Sequence, residues 1–277
     1  MTVPAESLAR RFAGTRRLYG EEAAECFAAA HVCVIGLGGV GSWAAEGLAR
    51  SGIGRLTLID LDVVAESNTN RQIQALDGAY GEAKVEALAR RFRKIHPGCV
   101  VTCVDDFITQ ENVAQFLSAA PRPFSLVIDA IDRTTDKAAL LAHCRENALR
   151  VVTAGAAGGK KSPLLIRADD LARATQDPLL AKTRAVLRRE YGFPKGAADI
   201  GKAEKFGIPA VYSVEPVAPF QAACAANTMD AAHVAPQGLS CAGYGSSVCV
   251  TASMGFTACA AALECLAAPQ EKAIFCA

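Results

Sequence analysis

Four glycines in Gly36-Leu37-Gly38-Gly39-Val40-Gly41 stand between an apolar stretch, residues 31–35, and a stretch of helix-forming residues. This spacing suits anion binding. Gly36 opens the turn, Gly38 and Gly39 let backbone approach a phosphate, and Gly41 lets helix and strand pack closely. The free amides of the helix's first turn then face the anion. A second apolar run, residues 55–59, delivers Asp60 and Asp62 at its end, where carboxylates can hold ribose hydroxyls. A nicotinamide dinucleotide would use the same features, and on these residues alone that alternative stays open.

Asn68, Asn70, Arg71 and Gln72 follow, and Lys84 lies in the next helix-forming stretch. A dinucleotide pyrophosphate can be held largely by a glycine turn, whereas a triphosphate and its leaving pyrophosphate need added positive charge and a metal ion. Arg71 and Lys84 supply the charge, the amides supply hydrogen bonds, and Asp132 offers a magnesium ligand. Asp129-Ala130-Ile131-Asp132 follows a strongly apolar run, at the carboxyl edge where open α/β sheets bind ligands. The grouping points to ATP with Mg2+.

The elements that must carry these residues alternate. Strands are predicted over 31–35, 55–59, 100–104, 125–128 and 151–154. Helices are predicted over 21–30, from the glycine turn to near residue 52, and over 81–94, 110–117 and 137–148. Such alternation calls for a Rossmann-like, mostly parallel sheet flanked by helices. After residue 155 the chain becomes rich in Gly, Lys and Arg, with an amphipathic helix over 181–190, further short strands, a loop near 237–245 and a late helix over 247–266. We read one domain over 1–277, with a nucleotide-binding core at 30–155 and a substrate-binding, sheet-completing region at 156–277.

The formal net charge is +1, yet residues 159–207 hold 11 Lys or Arg against 6 Asp or Glu. Lys160, Lys161, Lys182, Arg184, Arg188 and Arg189 form one expected surface for a polyanion, and Arg91, Arg93 and Lys94 a second. The 11 cysteines include no CxxC pair, so no zinc is expected. With no signal-peptide core at the start, reduced thiols in a cytoplasmic protein are the simpler reading. Residues 231–263 lack charged side chains but contain His233, Pro236 and Gln237, which favours a buried loop and helix over a membrane span. Peripheral membrane association stays open.

In GLGGVGSWAAEGLARSGIGRLTLIDLD, NTNRQI, Lys84 and VIDAID, taken in order, the chain resembles the E1-like adenylating enzymes. That family includes ubiquitin activators and activators of small sulfur-carrier proteins. RFAGTRRLYG, SNTNRQIQAL, VVTAGAAGGK and QDPLLAKTRAVLRREYGF extend the likeness to nearly the whole chain and toward members that act on N6-threonylcarbamoyladenosine in tRNA.

The resemblance implies a homodimer, with ATP and magnesium in each subunit. Gly38 and Gly41 would shape the phosphate turn, Asp60 would bind ribose, Asn70, Arg71 and Lys84 would hold phosphates, and Asp132 would hold magnesium. Arg17, or its neighbour Arg16, would reach into the partner's site. The implied activity is adenylation of the threonyl carboxylate followed by ring closure, with tRNA as partner. Cys241 falls where relatives carry a cysteine, as a nucleophile or as a packing thiol. The rivals are adenylation of a sulfur carrier's C-terminal glycine, an NAD-dependent oxidoreductase and a noncatalytic nucleotide-binding module; a sulfur-relay partner is left open.

Overall fold

The computed structural model describes residues 5–118, 123–217 and 244–268. Seven strands form one sheet in the order β3-β2-β1-β4-β5-β7-β6. They are β1 His31–Ile35, β2 Arg55–Ile59, β3 Val100–Val104, β4 Leu126–Asp129, β5 Val151–Ala154, β6 Ile166–Asp170 and β7 Pro209–Ser213. All neighbours pair in parallel except β6, which runs antiparallel to β7. The chain winds outward from β1 through β2 to β3, then crosses to β4 on the other side. A crevice therefore opens at the carboxyl ends of β1 and β4, where the strand order reverses.

Central strands are apolar without alternation because helices cover both faces; β1, β4, β5 and β7 are buried throughout. One face carries α3 Glu21–Ala29, α4 Gly41–Arg50, α5 Lys84–Ile95 and α9 Val248–Ala267, whose core includes Phe27, Leu48, Leu88, Phe92 and Met254. The opposite face carries α6 Val113–Ser118, α7 Thr134–Glu146 and α8 Pro178–Glu190, through Val113, Leu140, Leu141, Leu180 and Leu187. Two short helices not expected from the sequence, α1 Ala5–Arg11 and α2 Ala13–Tyr19, precede α3.

The late apolar helix, in which Glu264 is the one charged residue, is α9. It is long and apolar enough to cross a membrane by composition, but it packs against α3, α4 and β5 with Val250, Met254, Ala258, Ala262 and Cys265 buried. Small residues allow α4 and α9 to approach closely: a Cβ on Gly255 would fall 2.6 Å from the Val40 carbonyl oxygen, and one on Gly47 would fall 2.8 Å from Cys259 Sγ. Burial pushes the thiols of Cys33, Cys99, Cys144 and Cys259 up, which marks them as packing groups.

Several boundaries differ from expectation. The helix expected over 181–190 begins earlier, because Asp177 caps it by accepting the Leu180 amide and Pro178 takes the first turn. The helix expected over 137–148 begins at Thr134, which draws Asp136 and Lys137 into its first turn. Cys241 and His233 lie outside the described residues.

Candidate active site

At the end of β1 the chain turns at Gly36, whose φ of +84° is left-handed and whose added Cβ would meet the Ala130 carbonyl oxygen at 2.7 Å. Gly41 is more constrained, since a Cβ there would lie 1.8 Å from the Gly36 carbonyl oxygen. Gly38 differs from both: a Cβ would meet nothing within 4 Å among the described residues, and Gly38 lines the cleft. Among the described residues no side chain caps α4; the Ser42 amide donates to the Gly38 carbonyl at 3.2 Å, and the rest of the first turn faces the anion.

The cleft over this turn has a volume of about 290 Å³ and brings together Gly36, Gly38, Gly39, Asp60, Asp62, Asn68, Arg71, Gln72, Lys84 and Asp132. Asp60, at the end of β2, accepts the Leu37 amide at 2.6 Å on Oδ2 and the Asp62 amide at 2.9 Å on Oδ1. Burial pushes its carboxyl up from the ordinary range, while Lys84 and the two amides pull it back. Lys84 Nζ lies 2.6 Å from Asp62 Oδ2 and 3.8 Å from Asp60 Oδ1. Arg71 is anchored at both ends. Its guanidinium donates to the Ser67 carbonyl (2.6 Å) and to Asn70 Oδ1 (3.0 Å), and its own carbonyl accepts from the Trp43 indole at 3.0 Å and the Thr251 hydroxyl at 3.3 Å.

Four residues singled out in the sequence do not line the cleft. Gly41 packs beneath the turn. Asn70 donates to the Ser246 carbonyl at 2.9 Å and so ties the Arg71 loop to the start of α9. Asp129 is corrected from ligand group to support: its carboxylate accepts from Thr153 Oγ1 (2.7 Å) and the Ile131 amide (3.0 Å) and pairs with buried Lys137, leaving nothing turned outward. Arg17 is exposed on α2.

The expected RNA surface also needs correction. Lys160 is only 2% exposed and donates to the Ser213 and Gln176 carbonyls. Arg184 is 9% exposed, with its guanidinium directed at the Leu171 carbonyl. The helical period explains Arg184, because residues 180, 183, 184 and 187 share the inward face of α8. Arg188 donates to the Pro194 carbonyl, and Arg91 pairs with buried Glu46. Lys161, Lys182, Arg189, Arg93 and Lys94 remain exposed.

The cleft recruits residues that sequence reasoning missed, among them Asp106, Phe107 and Ile108 after β3, Asp136, Gly155, Ala156 and Ala157 after β5, Leu179 and Thr251. Position at a strand's carboxyl end was the available signal for Phe107 and Ala156. For Asp136 it was the four-residue spacing from Asp132 at a helix start. Thr251 reaches the turn from the other end of the chain and carries no local signal.

A model of the ThiF family matches residues 10–273. The chain is 49% identical over 256 residues to the tRNA threonylcarbamoyladenosine dehydratase of Escherichia coli, covering 92% of each protein. It is 42% identical to the enzyme of that name from Haemophilus influenzae, covering 90% of each. The crystal structure of the E. coli tRNA N6-threonylcarbamoyladenosine dehydratase in complex with ATP superposes with a TM-score of 0.80 at 46% identity, covering 96% of this chain and 97% of that one. A molybdopterin-synthase adenylyltransferase from Salmonella typhimurium is 34% identical over only 123 residues, 44% of this chain and 48% of its own length.

Proposed function

The chain belongs to the ThiF family, and from that premise we propose that it uses ATP to dehydrate N6-threonylcarbamoyladenosine in tRNA. One observation carries the reading: the likeness to proteins of that activity extends over nine-tenths of both chains, and on this chain the cleft gathers Gly38, Asp60, Arg71, Lys84 and Asp132.

The chemistry follows from what those groups hold. The threonyl carboxylate attacks the α-phosphorus of ATP, the bond to the β-phosphate oxygen breaks, and an acyl adenylate forms as pyrophosphate leaves. The neighbouring carbamoyl group closes onto the activated carbonyl and expels AMP, for a net loss of water. Nucleophile and electrophile lie in one substrate, so the protein's tasks are orientation and charge stabilisation. The open face of Gly38 and the uncapped start of α4 receive phosphate. Asp60 accepts from ribose hydroxyls with lone pairs that its two amide bonds leave over. Arg71, held by Ser67 and Asn70, and Lys84, held between Asp60 and Asp62, meet the charge that develops on pyrophosphate.

Magnesium fits the donor set. Asp132 is exposed in the cleft and has no ion pair among the described residues. Asp136 nearby is buried, with an Oδ2 that accepts no hydrogen bond among the described residues and lies 3.1 Å from Arg133 Nε. Hard carboxylate oxygens beside phosphates are what this cation takes, and it would neutralise phosphate charge there. Asp132 would hold it, with Asp136 beside.

We read the molecule as a homodimer of single-domain subunits working in the cytoplasm, with residues 156–277 completing the substrate side. Half-exposed Phe256 meets Trp43 edge to face and, with Ile73 and Leu76, supplies the apolar part of a shallow depression that Glu46, Arg50 and Arg91 also line, a surface suited to a second copy. Arg16 is paired with Glu21 within the chain, while Arg17 is exposed beside Leu18, itself 78% exposed. This favours Arg17 as the residue that reaches the partner's site.

The test is mass spectrometry of nucleosides from tRNA bearing threonylcarbamoyladenosine, incubated with the protein, ATP and magnesium. The expected product is lighter by one water and appears only with ATP. Unchanged nucleoside from a protein that binds ATP would overturn the reading in favour of a sulfur-carrier substrate.

A further inference from the structure

Two stretches distant from the nucleotide motifs, AGAAGGK at 154–160 and QDPLL at 176–180, are bonded to each other. Asp177 joins them through both oxygens: Oδ2 accepts the Ala156 amide at 2.8 Å, and Oδ1 accepts the Leu180 amide at 3.0 Å. Residue 155 is glycine for a steric reason, since a Cβ there would lie 2.0 Å from Asp177 Oδ2. Lys160 closes the ring from the other side. Its buried ammonium donates to the Ser213 carbonyl at 2.7 Å and to the Gln176 carbonyl at 3.2 Å. Gln176 has φ of 55°, a left-handed conformation that a side-chain-bearing residue keeps only when its surroundings hold it.

What this ring holds is one wall of the cleft, because Gly155, Ala156, Ala157 and Leu179 all line it. The sheet order places that wall. Asp60 follows β2, the glycine turn follows β1, Asp132 follows β4 and Gly155 follows β5, in the spatial order β2-β1-β4-β5. A nucleotide with ribose at Asp60 and phosphates at Gly38 leaves the β5 side for the group that attacks phosphorus. These four wall residues are small or apolar and uncharged. They suit a compact side chain whose one charge is the carboxylate being activated.

Resting on the dehydratase reading, we propose that Lys160 and Asp177 are positioning residues. Together they form a buried latch that sets the Gly155–Ala157 wall and Leu179 as the acceptor half of the site, where the threonylcarbamoyl side chain is received. Neither touches the reacting atoms. Both act through the wall they hold.

The experiment compares wild type with Asp177→Asn, Lys160→Met and Ala156→Val, measuring ATP affinity by calorimetry and kcat and KM on tRNA bearing threonylcarbamoyladenosine. Asn cannot accept both amides that Asp177 serves. Ala156→Val keeps the latch and narrows the wall, so it decides the question if a latch variant fails to fold. The expected result is a fall in kcat/KM of about a hundredfold, as for a reacting group displaced by an ångström, with ATP affinity within about twofold of wild type. ATP affinity falling in step with turnover, or wild-type turnover by Ala156→Val, overturns the latch while leaving the dehydratase reading intact. A wild-type protein that binds ATP but does not act on this tRNA removes both.

Discussion

Lys137 Nζ lies 2.7 Å from Asp129 Oδ2, and neither side chain has any exposed surface. The same ammonium donates to the Ile131 carbonyl at 2.9 Å. The pair therefore fixes the loop that carries Asp132 into the cleft. Removing one partner strands a buried charge, so Lys137→Met is expected to lose about 3–5 kcal/mol of stability in urea unfolding. Asp129→Asn/Lys137→Met restores neutrality and should regain most of that loss. A double variant no more stable than the single would show that the pair is not what holds this region.

Two glycines of one turn should fail differently. Gly41→Ala forces a Cβ into the Gly36 carbonyl and should lower the melting temperature along with ATP binding. Gly38→Ala meets no atom of the described residues within 4 Å. It should melt like wild type while ATP affinity drops about tenfold or more, because the methyl occupies the phosphate's approach. Equal melting of both variants would contradict the geometry.

His96 gives the protein an acid sensitivity. It is buried, its Nδ1 has no hydrogen-bond partner among the described residues, and burial lowers its pKa from the ordinary 6.5, against a backbone hydrogen bond at Ile53 and with the Arg11 charge adding to the effect. The unfolded chain thus takes up this proton first as pH falls. The contribution of His96 is fully present above 6.5 and is lost as pH drops through the lower folded value. Unfolding free energy measured from pH 7.5 downward should fall less steeply for His96→Leu than for wild type. Parallel curves would rule this out.

Arg17 is expected to act across the proposed homodimer. Arg17→Ala and Lys84→Ala homodimers are each expected to be inactive. Mixing and re-equilibrating the two should recover part of the activity, because one site in each mixed dimer keeps both residues. No recovery from a demonstrably mixed dimer would place Arg17 outside the partner's site.

The α8 cations should divide by exposure. Lys182→Glu/Arg189→Glu is expected to leave the melting temperature unchanged, to weaken tRNA binding, and to reduce the slope of log affinity against log salt by about two. Arg184→Ala should instead destabilise the fold. If Arg184→Ala left stability untouched, its inward placement would be of no consequence.

Much of the nucleotide half was legible in the sequence because its signals are local. A strand, a glycine turn and a helix start lie within about a dozen residues, and Asp60 and Asp132 each stand at the carboxyl end of an apolar run. The alternation of runs was enough to determine a mostly parallel sheet flanked by helices. What only the tertiary structure decided is where each charged side chain turns. Lys160 and Arg184 looked like surface cations and are buried, and Asp129 looked like a ligand and supports a loop. The pairing of β6 with β7 and the arrival of Thr251 at the glycine turn were likewise out of reach. The reason is physical: a charge pattern states that a residue is polar, but burial depends on the partners that long-range packing brings to it. For Lys160 those partners are carbonyls at 176 and 213, which no spacing around residue 160 reveals.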